Sequence, residues 1–270
     1  MLYFFIHKHK YESNIEKFVR ICELYPHKME RQGIQINKFV SSSGYCSRRE
    51  ADKLIEQGRV MINDKVAKPT QWVQEQDSVS VDFEYIKTAK QKSIYIALHK
   101  PKGITSTTDL SDRTNIISFV NYPKRIFPIG RLDKDSEGLI LLTNDGDMVN
   151  KILRAGNKHD KEYIVSVNHA ITPAFISAMS SGVDILGTRT LPCKVKPLSG
   201  KKFSIILQQG LNRQIRRMCE VLGYEVQTLT RVRIMHIRLD TLAVGKWRHL
   251  HEHEVKELEK AVSQSKKEKS

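Results

Sequence analysis

The stretch that decides the fold is Phe127–Thr143, which reads FPIGRLDKDSEGLILLT. One apolar segment, Ile126–Ile129, leads into a polar loop, and a second, Leu139–Leu142, follows it. Gly130 and Gly138 bracket the loop and allow backbone angles that other residues avoid. Two buried segments that hold a charged loop between them are typical of a rigid scaffold that presents a reactive side chain.

The charged residues of this loop have more than one interpretation. Asp133 and Asp135 could be ordinary turn residues whose carboxylates accept hydrogen bonds from nearby amides. The loop also opens like a calcium-binding loop, but the position that should supply the closing bidentate Glu is Asn144. We therefore expect no metal at this loop, whereas the turn-forming and reactive roles of the aspartates both stay open.

Composition limits the class of protein. The chain has 270 residues, of which 40% are hydrophobic and 28% charged, as in ordinary globular domains. No apolar run is long enough to span a membrane, and Met1–Ile6 is too short for a signal-peptide core. The four cysteines form no Cys-x-x-Cys pair, so we expect neither a disulfide framework nor a zinc site, and we expect a reducing, cytoplasmic location.

The net charge points to the partner. The chain carries 45 Lys and Arg against 30 Asp and Glu, a formal charge of +15. Such an excess favours a polyanion, and nucleic acid is preferred over an anionic membrane because no basic amphipathic membrane helix is evident. We expect an RNA or DNA partner and no membrane partner.

Composition shifts divide the chain into segments. Residues 1–33 form an N-terminal extension of unknown function, and one hypothesis is that a chain starting at Met29 would act like the full one. Residues 34–83 read as a small domain and residues 84–92 as a lysine-rich linker. A larger domain follows at residues 93–250, and residues 251–270 read as a charged tail with a surface helix and a frayed end.

The small domain combines a basic helix with a hairpin. Ser47 and Glu50 form the pattern of a capping box, which predicts a helix that starts there and stops at Gly58. A hairpin follows at Val60–Ala67 and a further strand at Ser78–Val81. Four basic residues suit phosphate binding, namely Arg48, Arg49, Lys53 and Arg59. Helix, hairpin and basic edge together resemble the S4 RNA-binding domain, although a structural domain with a solvated basic helix is the simpler alternative.

Four motifs follow in order in the larger domain. They are Lys100-Pro101-Lys102-Gly103, the Asp133 loop, Lys161-Glu162-Tyr163 and Asn212-Arg213-Gln214-Ile215-Arg216-Arg217-Met218. The last motif opens a predicted helix whose apolar stripe lies opposite three arginines. In order and spacing, the motifs resemble those of pseudouridine synthases of the RsuA/RluB/E/F group, and most of all its F-type branch, which acts on 23S rRNA.

This resemblance implies the fold and the reaction. The fold would be α+β, with a small S4 domain and a pseudouridine synthase domain built on a mixed, largely antiparallel sheet. The enzyme would be an isomerase that detaches a uracil from C1′ of its ribose, rotates it and rejoins it through C5, with no cofactor and no metal. The partner would be 23S rRNA, with a tRNA stem-loop as an open alternative, and a monomer is the default.

The resemblance also implies the roles of residues. Asp133 would act at the ribose, either by attacking C1′ or by removing the C2′ proton. Tyr163 would stack on the uracil, and Arg216 would pair with Asp133 and keep it ionised. Asp135 would be structural, and the Lys-Pro-x-Gly segment would support the loop. RNA contacts would come from Arg131, Arg213, Arg217 and Lys100 in this domain, in addition to the basic residues of the S4 domain.

Two other classes of protein compete with this interpretation. A non-catalytic S4-type RNA-binding protein would explain the charge but not the Asp, Tyr and Arg motifs. An RNA methyltransferase would need a glycine-rich loop after a strand for its cofactor, and the sequence has none.

Overall fold

The computed structural model describes residues 33–87, 92–153 and 159–263. The hypothesis about Met29 therefore lies outside the described residues. The chain divides between residues 91 and 92 into two compact units, here called the N-terminal and C-terminal units. Among the described residues, no helix is both long and apolar enough to cross a membrane.

The N-terminal unit packs two helices on small sheets. The helices are α1 (Ile36–Ser42) and α2 (Arg48–Glu56). A four-stranded antiparallel sheet has the order β3 (Lys65–Val66), β2 (Val60–Ile62), β5 (Val79–Val81) and β6 (Glu84–Ile86), and β1 (Ile34–Gln35) pairs with β4 (Trp72–Val73). The predicted capping box is confirmed, because Glu50 N donates to Ser47 Oγ at 3.2 Å and Ser47 N donates to the Glu50 carboxylate at 2.7 Å.

The N-terminal unit extends further than the sequence indicated. Residues 84–86, which we assigned to the linker, form β6 and pair with β5 in an antiparallel hairpin. The polar and aromatic side chains of Glu84 and Tyr85 concealed this strand, since only Ile86 packs against the core.

The C-terminal unit is built on a nine-stranded mixed sheet. Seven strands lie in the order β13 (Lys194–Ser199), β14 (Lys202–Leu207), β10 (Lys161–Val167), β15 (Val226–Ile234), β9 (Glu137–Thr143), β7 (Tyr95–Lys100) and β17 (Trp247–His249). In addition, β8 (Phe127–Ile129) pairs with β9, and β16 (Ile237–Arg238) pairs with β15. Among the described strands of this sheet, the β9–β15 pair alone is parallel, so the expected mixed, largely antiparallel sheet is confirmed. A separate hairpin joins β11 (Asp184–Ile185) to β12 (Thr188–Arg189).

Helices cover both faces of this sheet. Along β9, Leu139 and Leu141 point to one face and Ile140 and Leu142 to the other, and all four are buried. On the first face lie α4 (Gly146–Leu153) and α7 (Glu252–Ser263), and on the second lies α3 (Ile116–Val120). A further hydrophobic core is formed where α5 (Pro173–Ser181) and α6 (Gln214–Val221) pack on β10 and β14. The continuous apolar run of β9 thus marks a central strand.

The C-terminal tail differs from the expectation of a surface helix. In α7, Leu258 and Val262 are buried in the core beside β7 and β9. Glu254 is also buried, and it accepts two hydrogen bonds from Arg248, at 2.6 and 2.8 Å. The many charged residues of the tail hid a narrow apolar stripe at i and i+4.

Candidate active site

The loop between β8 and β9 forms the centre of the site. The two strands pair from Phe127 opposite Thr143 to Ile129 opposite Leu141, which fixes both ends of the loop. Because β9 also pairs with β7 and β15, the loop emerges from the middle of the sheet. The loop is therefore anchored at both ends in the middle of the sheet.

Gly138, at the end of the loop, is required by a close approach of two strands. Its φ is +120°, and a Cβ placed on it would lie 2.3 Å from the carbonyl oxygen and 2.4 Å from the nitrogen of Arg231 in β15. Any larger residue would push β9 away from β15, so the position accepts only glycine.

The segment after β7 holds the backbone on both sides of Asp133. Ser106 Oγ donates to Leu132 O at 2.8 Å and accepts from Leu132 N at 3.2 Å. Gly103 N donates to Lys134 O at 2.7 Å. Ser106 is buried, so these bonds are protected from water. The Lys-Pro-x-Gly segment thus contacts the loop in the way that the motif implied.

Lys100 lies beneath the loop and not on the RNA-facing surface, so its predicted RNA contact is wrong. Its side chain is fully buried, and Nζ donates to Pro101 O and Ile104 O, both at 2.8 Å. Burial and the nearby charge of Arg231 lower the pKa of Lys100 to about 8, although the carboxylates of Asp135, Asp133 and Glu137 act in the opposite direction.

Arg231, a second cation that contacts the loop, is also buried, with 3% exposure. Its Nε donates to Leu139 O at 2.7 Å and its Nη1 to Arg131 O at 3.4 Å. One guanidinium thus joins the residue before Leu132 to the strand after the loop. A signal did exist in the sequence, because Arg231 lies two residues after the buried Leu229 in the same strand.

Asp135, which we expected to be merely structural, holds two arginines of the α6 region. Arg213 donates from both terminal nitrogens to its two carboxylate oxygens, each at 3.1 Å. Arg216 Nε lies 3.4 Å from Asp135 Oδ2, and Arg216 Nη2 donates to Asp135 O at 3.2 Å. The structure therefore pairs Arg216 with Asp135 and not with Asp133, which corrects the sequence-based pairing.

The charge of Asp135 is stabilised by this arrangement. Partial burial pushes its pKa upward, but the hydrogen bond from Arg213 and the charges of Arg216 and Arg213 outweigh burial and lower the pKa below the ordinary value. Arg213 stands just before α6 in a left-handed conformation, with φ of +49°. The helix therefore begins at Gln214.

Asp133 lines an open cleft. The cleft has a volume of about 530 Å³ and is lined by Lys102, Gly103, Asp133, Lys134, Asp135 and Arg213. The Asp133 side chain is half-buried, and within the described ranges its carboxylate has neither a hydrogen bond nor an ion pair. Because Asp135 occupies the neighbouring arginines, the Asp133 carboxylate is available to a ligand in the cleft.

Tyr163 is aligned with the end of the loop. It lies on β10 opposite Arg231 of β15, and Arg231 lies opposite Gly138 of β9. Two strand spacings separate Tyr163 from Gly138, about 10 Å. The ring is half-buried and packs against the cluster that contains Leu132, the neighbour of Asp133.

The remaining predicted RNA contacts have different surroundings. Arg131 is exposed, and its side chain has no partner in the described part of the chain, whereas Arg217 donates to Asn212 O and Oδ1 at 3.2 and 3.3 Å. On α2, Arg48, Arg49 and Lys53 are exposed. Arg59 is not free for phosphate, since it donates to both oxygens of Asp82 at 2.7 and 2.5 Å. No cluster of three or more potential metal ligands occurs among the residues described.

Comparison with known proteins identifies the family. Residues 94–221 match the family described as RNA pseudouridylate synthase, and residues 36–79 match the S4 domain. The dual-specificity RNA pseudouridine synthase RluF of Escherichia coli K12 is 54% identical over 233 residues, covering 86% of this chain and 80% of that protein.

Two further matches support the same family. Ribosomal large subunit pseudouridine synthase B of Bacillus subtilis is 35% identical over 232 residues, which cover 83% of this chain and 95% of that protein. A crystal structure of a pseudouridylate synthase is 28% identical and superposes with a TM-score of 0.62, covering 83% of this chain and 99% of that one. The chain belongs to the RNA pseudouridine synthases, which are isomerases, and it carries an S4 domain ahead of its catalytic domain.

Proposed function

We propose that Asp133 carries the isomerisation of a uridine in ribosomal RNA. The observation that carries this proposal is the Asp133 carboxylate, which lines the cleft and has no partner among the described residues, beside an Asp135 that already binds two arginines. A carboxylate without a partner inside the protein is the one that a substrate can engage. Asp135, by the same reasoning, is a positioning residue.

The reaction needs only one such carboxylate. The C1′–N1 bond of uridine breaks, the base rotates in the cleft, and a C1′–C5 bond forms while C5 loses a proton and N1 gains one. Substrate and product are isomers, so neither water nor an oxidant or reductant takes part. A carboxylate at the ribose can stabilise the electron-poor C1′, attack it or remove the C2′ proton.

Other residues would position the base and the loop. Tyr163 would stack on the flipped uracil and is the candidate for transfer of the C5 proton. Arg216 and Arg213 would act through Asp135, because their ion pairs fix the loop two residues after Asp133. Arg131 is exposed and uncommitted within the described ranges, so it would contact an RNA phosphate or fill the space that the flipped base leaves.

The substrate class follows from charge, from base flipping and from the relatives. Extracting a base costs least where it is unpaired, which favours a loop of structured RNA over a duplex. One relative is named for the ribosomal large subunit and another for dual specificity. We infer 23S rRNA as the main substrate and a tRNA stem-loop as a second one, acted on by a monomer in the cytoplasm.

The test measures conversion and RNA binding separately. Asp133→Asn keeps the size of the side chain and removes its charge, so we expect pseudouridine formation to fall at least about a thousandfold, equivalent to roughly 4 kcal/mol. Binding of the same rRNA fragment should stay within about threefold, because phosphate contacts dominate affinity. Asp133→Asn with normal turnover would refute the role of this residue.

The control is Lys134→Gln, which changes the neighbouring side chain but leaves the Lys134 carbonyl that accepts from Gly103. We expect it to retain most of the activity.

A further inference from the structure

The hairpin between β5 and β6 has an unusual residue in its turn. Val81 pairs with Glu84, so the turn consists of Asp82 and Phe83 alone. Both have positive φ, +50° and +69°, as in a type I′ turn. The second position of such a turn strongly favours glycine, and a bulky aromatic residue there is strained.

The strained backbone at Phe83 is not compensated by packing of its side chain. The Phe83 side chain is 81% exposed, and it belongs to none of the buried clusters of the described residues. An exposed apolar ring on a strained backbone is doubly unfavourable for folding, so Phe83 is a candidate for a functional role when other observations point to a ligand.

The turn is held firmly. Arg59 donates to both carboxylate oxygens of Asp82, and Asp82 N donates to Arg59 O at 2.9 Å. Tyr45 Oη donates to Asp82 Oδ2 at 3.4 Å, so a second exposed aromatic residue, with 44% exposure, adjoins the turn. The rings are thus presented by a rigid base, and the Asp82 charge is already compensated by Arg59.

Two exposed arginines follow Tyr45 closely along the chain. Arg48 follows Tyr45 by three residues, a chain distance of at most about 10 Å. Arg48 and Arg49 are exposed on the first turn of α2, and they have no ion pair with any described residue. Exposed rings together with exposed guanidinium groups a few residues along the chain match the combination that binds single-stranded nucleic acid, in which bases stack and phosphates pair with cations.

We propose that Tyr45 and Phe83 form a base-stacking site for unpaired RNA on the S4 domain, with Arg48 and Arg49 binding the adjacent phosphates. The ligand class is single-stranded RNA without a strict sequence requirement, because every base has a π-face. The proposal rests on the proposed function only in that the substrate is RNA with unpaired nucleotides. It assigns no role to Asp133.

The experiment compares the full-length protein with four variants. Binding is measured by fluorescence anisotropy with a labelled 12-nucleotide oligouridylate and with a 12-base-pair RNA duplex. Phe83→Gly should weaken binding of the oligouridylate about 5- to 150-fold, the range for loss of one stacked base, and leave binding of the duplex unchanged. Phe83→Trp should restore it. Leu186→Gly is the matched control, because Leu186 is also an exposed apolar residue with positive φ in a two-residue turn.

Two further readouts separate stacking from charge and from damage to the fold. Phe83→Gly should shift affinity at every salt concentration without changing the slope of log K against log salt, whereas Arg48→Gln should reduce that slope by about 0.7. Because glycine relieves the turn, Phe83→Gly should melt at the same temperature as the wild type or higher.

Each contrary result would overturn the proposal. These results are unchanged oligouridylate binding in Phe83→Gly, an equal loss for the duplex, an equal loss in Leu186→Gly, and a lower melting temperature in Phe83→Gly. Since all of these are binding or melting measurements, they stand apart from the activity of the Asp133 variants. A failed stacking site and a failed nucleophile are therefore distinguishable.

Discussion

Replacing Gly138 by alanine should damage the catalytic domain far more than the same change at Gly187, although both glycines have a positive φ. The new Cβ would meet the carbonyl oxygen of Arg231 at 2.3 Å and its nitrogen at 2.4 Å, about 1 Å inside ordinary contact. Neither atom can rotate away, because both belong to the backbone of β15. The two strands must therefore separate where the loop ends.

The magnitude has two parts. A φ of +120° is almost closed to alanine and costs about 1–3 kcal/mol. Forcing packed backbones apart adds about 1–3 kcal/mol. We expect a loss of about 4 kcal/mol in the free energy of unfolding. The shift also disturbs the bond from Arg231 Nε to Leu139 O, so turnover should fall even where the protein stays folded.

The matched control is Gly187→Ala. Gly187 also has a positive φ, +71°, but its Cβ would meet nothing within 4 Å. The Gly187→Ala variant should therefore lose only the free energy due to backbone conformation, about 1–2 kcal/mol of the free energy of unfolding.

The assay is urea unfolding followed by tryptophan fluorescence. In a Trp72→Phe background only Trp247 remains, and its signal reports on the catalytic domain alone. Equal stabilities of the Gly138→Ala and Gly187→Ala variants would refute the argument that the contact with Arg231 fixes this residue.

Two further predictions concern the buried cation and the ion pairs of the site. The pKa of Lys100 is lowered to about 8 in the folded state, so between about pH 8 and 10.5 the unfolded state binds more protons and stability from this group rises with pH. Urea unfolding across that pH range should show that the free energy of unfolding rises in the wild type and that this rise is absent in Lys100→Met. A rise of the same size in both proteins would contradict the burial argument. Arg213→Gln should lower kcat about tenfold because Asp135 loses its paired hydrogen bonds, while stability changes by less than about 1 kcal/mol because the pair is half exposed. Arg217→Gln, which removes bonds only to Asn212, serves as its control in a steady-state assay, and an equal loss in both would argue against the role of Asp135.

Local sequence patterns were sufficient to predict much of the fold. The capping box at Ser47, the β2–β3 hairpin and the buried run of β9 were predicted because neighbouring residues determine them. The order of the four motifs likewise located the loop, the strand of Tyr163 and the helix of Arg216. The family comparisons confirm the domain types and the reaction class.

The sequence did not indicate which residues pair over long distances along the chain. Arg216 has two carboxylates within two residues of each other as candidates, and a contact across 81 residues selects Asp135. No local rule predicts this selection, since it depends on how α6 docks beside the loop.

The burial of charged side chains was the second feature that sequence analysis did not predict. Lys100 was predicted to contact RNA from the surface, because basic residues are seldom buried. Strand parity nonetheless contained the signal: Lys100 shares its face of β7 with Leu98 and Ile96, and both are fully buried. When a cationic residue lies at the end of a central strand and on the same face as buried residues, a structural role beneath the adjoining loop should be predicted for it.

The measurement that tests the central claim most directly is pseudouridine mapping of rRNA and tRNA in cells that lack this protein, complemented by the wild type or by Asp133→Asn. We predict that at least one rRNA site is lost in the deletion, restored by the wild type and not restored by Asp133→Asn produced at the same level. Restoration by Asp133→Asn would contradict the role of Asp133, and an unchanged rRNA map in the deletion would contradict the assignment of the substrate.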